Sequence, residues 1–126
     1  MINRYKQLRQ LINKAYAPLT SVKVAAILVT DKGDFKGVNI ENIVCSLSIC
    51  AERNALFNAI TNGAKEVKEI HLTSTQKGIS MCGACRQLLT SWAKPSTKVY
   101  VYNLKTGKHS LDTLGQLLPK AAIIKK

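Results

Sequence analysis

Acidic side chains are scarce in this 126-residue chain: seven Asp and Glu stand against 19 Lys and Arg, a formal net charge of +12. Such an excess could draw a polyanion, but the kind of basic residue argues against nucleic acid. Fifteen of the 19 are Lys, spread along the chain with no run of five, and the only arginines are Arg4, Arg9, Arg53 and Arg86. Bidentate recognition of phosphates and bases prefers Arg. The charge therefore reads as a lysine-coated surface, and nucleic acid is not expected as a partner. Long apolar runs are missing as well; none nears the ~20 residues of a membrane-spanning helix. Met1-Ile-Asn-Arg-Tyr-Lys6 leads into no uninterrupted apolar stretch, so neither a secretory leader nor a membrane partner is expected. Internal repeats, low-complexity tracts and linkers are also absent, and residues 1–126 read as one domain. A chain of this size can bury roughly two-thirds of its unfolded surface, enough for a core.

Against this background the four cysteines, Cys45, Cys50, Cys82 and Cys85, stand out. Cys82-Gly-Ala-Cys85 has ligand spacing, 31 residues separate it from Cys50, and Glu52 lies two beyond Cys50. Three thiolates can hold a zinc ion and leave its fourth position for water, which such an ion acidifies. A carboxylate fixed nearby, Glu52, can take that proton and deliver it to a leaving group. Free thiols in this spacing suit a reducing, cytoplasmic compartment. Two duller readings compete. A Cys-x-x-Cys alone fits a redox pair or half of a structural zinc site, and Cys45 as a fourth thiolate would close the site to chemistry.

Both halves of the cluster open helices by pattern. Ala51, Ala55, Leu56, Ala59 and Ile60 follow Cys50 at helical spacing until Asn62-Gly63. Leu88, Leu89 and Trp92 follow Cys82 until Pro95. Helix N-termini favour thiolate over thiol, and Arg53 is the candidate to offset the charge of three sulfurs on one ion. Cys50 and Glu52 do not share a helical face, so they can meet only if Cys50 sits at the very start of its helix.

The remaining chain reads as an amphipathic helix from residue 2 to about 16, ended by Pro18, then a doubly buried strand over Val24–Thr30. A hairpin turn at Asp31–Asp34 returns a strand from Phe35 to about Asn39, and a polar loop, Ile40–Leu47, leads to the first cysteine. Strands are expected at Lys68–Ser74 and Lys98–Leu104, and a last short helix over about Leu111–Leu118. The order α-β-β-α-β-α-β-α implies an α/β domain with both cysteine-bearing helix ends at the carboxyl edge of the sheet. His71 and His109 read as structural histidines, and Tyr100 and Tyr102 as sheet packing in preference to base-stacking surfaces.

Taken together, Asn39-Ile-Glu-Asn42, Ile49-Cys-Ala-Glu-Arg53, Cys82-Gly-Ala-Cys-Arg-Gln87 and Leu117-Leu-Pro119 resemble the short, homotetrameric cytidine deaminases, over about Ala15–Ala121. The Cys-x-Glu and Cys-x-x-Cys elements are themselves a known signature of zinc deaminases. The resemblance implies a three-layer α/β domain, with a mixed five-stranded sheet flanked by helices. It also implies a homotetramer with active sites near subunit interfaces, and zinc-dependent hydrolysis of cytidine or deoxycytidine to the uridine counterpart and ammonia, as in pyrimidine salvage. By this likeness Cys50, Cys82 and Cys85 bind Zn2+, Glu52 is catalytic, Asn39, Glu41 and the Ala51 backbone bind substrate, and Arg53 hydrogen-bonds ligand thiolates. The spacing of Asn39 and Glu41 suits this, because in an extended segment it puts both on one side.

The chain departs from the family pattern where aromatic rings are expected: it has Leu19, Val22, Cys45 and Ala122 instead. Each lost ring removes stacking worth ~1–3 kcal/mol per base, which bears on substrate and not on the metal or acid. A deaminase of another cytosine nucleoside, such as a blasticidin-type antibiotic, is therefore the alternative, supported by Ser21-Val22 and Ala25-Ala26 and opposed by Glu41. A deaminase acting on RNA or DNA is a more distant one.

Overall fold

A computed structural model describes residues 2–123 of the chain. A mixed sheet of five strands runs in the order β2-β1-β3-β4-β5. The strands are β1 (Val24–Thr30), β2 (Gly33–Val38), β3 (Val67–Ser74), β4 (Lys98–Asn103) and β5 (His109–Thr113). The helices are α1 (Arg4–Leu11), α2 (Ala51–Thr61), α3 (Gly83–Leu89) and α4 (Leu114–Leu117).

β1 lies between the two flanking layers. Its alternate side chains enter different cores: Ala26 and Leu28 join Ala55, Leu56 and Leu89 under α2 and α3, while Ala25 and Ile27 join Leu8 and Ile12 under α1. An apolar run without alternation is what a strand covered on both faces requires. The result is the expected three-layer arrangement with α1 on one face and α2 and α3 on the other.

The hairpin closes with Thr30 opposite Gly33, whose φ of 105° is open to glycine. Asp31 fixes its other side by accepting the Lys65 and Glu66 amides at 2.9 and 3.0 Å. β1 is antiparallel to both β2 and β3, so β2 and β3 run the same way and their carboxyl ends share one edge. The helices that follow them therefore start on that edge, as expected.

Two elements differ from the sequence reading. The first helix stops at Leu11 and tightens into a 3-10 turn over Ile12–Lys14. The expected final helix begins at Leu114, because His109–Thr113 pairs antiparallel with β4 as a fifth strand. Its residues are mostly exposed, so this edge strand has no apolar alternation to announce it. Its register is set by β4.

Candidate functional site

Cys50 is the residue immediately before α2, with extended backbone (φ −75°, ψ 153°), and Cys82 holds the same position before α3 (φ −66°, ψ 160°). This satisfies the condition set by the Cys50–Glu52 spacing. While the chain is still turning into the helix, the Cys50 side chain and the first-turn Glu52 can serve one centre. Cys85 lies one turn into α3 and is wholly buried. The Sγ atoms of Cys50, Cys82 and Cys85 all lie within 4.8 Å of one another.

The donor set fits zinc. A tetrahedral ion with bonds of about 2.3 Å spaces its sulfurs about 3.8 Å apart, and the Cys50–Cys82 and Cys82–Cys85 separations are 3.9 and 3.4 Å. Three sulfurs this close cannot all ionise unaided. The Cys50 thiol is drawn down to about 5 by hydrogen bonding with Cys85 and then Cys82, with the Arg53 charge also favouring its thiolate. Cys85 is pushed well up by its hydrogen bond with Cys50 and by burial. A divalent cation would remove the competition between them. Arg53 sits where an offsetting charge is needed, its guanidinium 3.9 Å from Cys50 Sγ and 3.4 Å from the Ser48 carbonyl. Cys45 does not join the cluster: it is exposed on a 3-10 turn, Cys45–Leu47, and its sulfur is not among the converging atoms. That removes the closed four-cysteine site.

Glu52 is 5% exposed and faces a cleft of about 420 Å³ that also touches Cys50 and Cys82. Burial, with the Cys50 charge adding to it, raises its carboxyl to about 7. A carboxyl poised there can both accept and release a proton near neutral pH. The N-terminus of α2 is held by a backbone contact with β2: Gly37 packs directly on Ala51 and Ala55.

Asn39 and Glu41 lie on the wall of the same cleft, as does Ala51. Both polar side chains are also struts. Asn39 accepts the Val24 amide and donates to the Val22 carbonyl, each at 2.8 Å. Glu41 accepts the amides of Leu19 and Thr20 and the Thr20 hydroxyl. Of the four positions without the expected ring, Leu19 and Cys45 line the cleft, whereas Val22 and Ala122 are not among its lining residues.

Sequence reasoning missed two parts of this architecture. One is the Thr20–Glu41 contact, which no spacing rule signals. The other is Arg86, which donates to the carbonyls of Met81 (2.8 Å) and Leu117 (2.6 Å) and to Ser80 Oγ (3.1 Å). It ties the segment before Cys82 to α4. The two histidines behave as structural groups: His71 is buried between Glu69 and the Tyr102 hydroxyl, and His109 packs on Tyr100 and Tyr102. Tyr100 stacks on His71 at 4.6 Å and 4°. These rings pack on one another across the sheet face. No helix among the described residues is long and apolar enough to cross a membrane.

A family model described as the cytidine and deoxycytidylate deaminase zinc-binding region matches residues 3–102, a span that contains all three converging cysteines. The chain is 39% identical over 118 residues to a cytidine deaminase of Halalkalibacterium halodurans, covering 92% of this chain and 89% of that one. It is 38% identical over 110 residues to a cytidine deaminase of Sporosarcina psychrophila, covering 86% and 80%. Among solved structures, the cytidine deaminase from Burkholderia pseudomallei superimposes with a TM-score of 0.87 at 37% identity, covering 97% of this chain and 100% of that one.

Proposed function

The chain belongs to the cytidine and deoxycytidylate deaminase family and is a zinc-dependent hydrolase, and we propose that it converts cytidine and deoxycytidine to uridine and deoxyuridine with release of ammonia through Glu52. The observation that carries this is the placement of one buried carboxyl in the first turn after Cys50, facing a nucleoside-sized cleft beside three converging sulfurs.

Cys50, Cys82 and Cys85 would hold the zinc. When bound, it supplies a Lewis acid that makes water a competent nucleophile near neutral pH. The rest falls to the chain. Glu52 takes one proton from the water that attacks C4 and gives it to ring N3, which makes C4 electrophilic. It then takes the second proton from the new 4-hydroxyl and gives it to the 4-amino group, so that the C4–N bond breaks as the carbonyl forms and ammonia leaves. A carboxyl raised to about 7 suits both directions of transfer. The buried α2 turn excludes bulk water from that carboxyl, the Ala51 backbone faces the base, and Asn39 and Glu41 contact the sugar hydroxyls. Arg53 steadies the Cys50 thiolate.

We propose that residues 1–126 form one catalytic domain, supported by a single sheet shared by both cores. A homotetramer with sites near subunit interfaces is supported by the exposure of Ile43 (88%), which lines the cleft, and of Val44 (51%) and Leu47 (67%) in the same segment of chain. A cytoplasmic location is supported by a site that requires three reduced cysteines.

The test is loss of cytidine absorbance with pure, zinc-loaded protein, run beside blasticidin S. Faster turnover of cytidine is expected. No turnover of cytidine over a wide concentration range would contradict the assignment, and a preference for blasticidin S would move it to the antibiotic-type enzymes.

A further inference from the structure

Glu41 is half-buried at the cleft wall, and it does not move freely. Its Oε1 accepts the Leu19 and Thr20 amides at 2.9 and 3.1 Å, and its Oε2 accepts the Thr20 hydroxyl. A carboxylate has about four acceptor positions. Three are filled, which leaves one on Oε2 for a hydroxyl of a ligand in the cleft.

The direction of the Thr20 proton is also fixed. Thr20 Oγ1 accepts the Val22 amide at 3.1 Å, so its own hydrogen is left for Glu41. The turn that brings these donors together passes through Ser21 at φ 63°, one of two non-glycine residues with positive φ among those described. Asn39 fastens the outgoing end at Val22 and Val24, and the Glu41 amide donates to the Tyr16 carbonyl at 2.8 Å. The segment is thus pinned on both sides of Thr20. The same bonds hold the Glu41 carboxyl below the ordinary carboxylate range, the Thr20 hydroxyl contributing most.

We infer that Thr20 is a positioning residue for sugar recognition: its hydroxyl, with the Leu19 and Thr20 amides, holds the Glu41 carboxylate in one orientation so that its remaining acceptor position faces a sugar hydroxyl in the cleft. This rests on the reading above that Glu41 meets the sugar. Without the clamp, the half-buried Glu41 side chain would have to be ordered when the nucleoside binds, and that ordering weakens binding. The chemistry at C4 takes place at Glu52 and does not involve this clamp.

The test compares Thr20→Val, which keeps the shape and removes the hydroxyl, with Thr20→Ser, which keeps the hydroxyl, on cytidine and on 2′,3′-dideoxycytidine. For Thr20→Val, KM for cytidine should rise about tenfold, the scale of one charge-assisted hydrogen bond, with kcat within about twofold. KM for the dideoxy substrate should not change. Thr20→Ser should follow the unsubstituted protein on both. Thr20→Ala serves as a second hydroxyl-free variant should the valine protein fail to fold, and a thermal midpoint monitors folding. An equal rise on both substrates, or none on cytidine, in an otherwise active protein would overturn the inference alone. Absence of any turnover by the unsubstituted, zinc-loaded protein would overturn the deaminase reading and the inference together.

Discussion

Gly37 meets Ala55 backbone to backbone: a Cβ on Gly37 would lie 2.4 Å from the Ala55 amide nitrogen and 2.5 Å from the Ala51 carbonyl oxygen. β2 therefore carries α2 closer than any side chain would allow. α2 in turn carries Cys50 before its first residue and Glu52 in its first turn, so the alignment of Glu52 with Cys50 depends on a hydrogen at position 37.

Gly37→Ala should accordingly destabilise the protein by at least ~1–3 kcal/mol, the usual range for overpacking, since the opposing atoms are backbone and cannot rotate away. A urea titration reads this directly. Turnover per folded molecule should fall as well, because α2 must shift. An unchanged unfolding midpoint would show that the contact is slack.

Cys45→Ser should leave one zinc per chain, since Cys45 stands apart from the converging sulfurs. Cys85→Ser should strip the metal, because it removes the buried ligand. Elemental analysis after desalting distinguishes the two, and loss of zinc from the Cys45 variant would restore the closed four-cysteine site.

How much of this was legible in the sequence depends on where each feature gets its definition. β1 was readable because burial on both faces demands uninterrupted apolar residues over Val24–Thr30. The placement of Glu52 beside Cys50 was readable because a two-residue offset constrains the helix start. β5 was not, since the mostly exposed His109–Thr113 takes its conformation from pairing with β4 and not from its own pattern. The Thr20–Glu41 clamp was equally hidden, because two of its three donors are backbone amides 21 or 22 residues distant in sequence, and no side-chain identity encodes them. The missing rings were readable as absences. That Leu19 and Cys45 face the cleft while Val22 and Ala122 are not part of its lining needed the fold.

Stability should also respond to acid through His71. Burial lowers its pKa from the ordinary 6.5, with Glu69 partly opposing the shift. The unfolded chain therefore takes up a proton at a higher pH than the folded one. Stability from this group is complete above about pH 6.5 and is lost as pH falls through the lower folded value. The urea midpoint should drop between pH 7.5 and 5, and the drop should be smaller in His71→Gln. Equal drops in the two proteins would assign the acid sensitivity elsewhere.

The central claim is that Glu52 moves the protons beside a three-sulfur zinc site. Its most direct test is the turnover of cytidine by zinc-loaded Glu52→Gln, a variant that keeps the shape of the side chain and all three cysteines. The account predicts one zinc per chain with kcat reduced about 10²–10⁴-fold, the scale of general acid–base catalysis. Retention of kcat within a few-fold, with the metal in place, would contradict it.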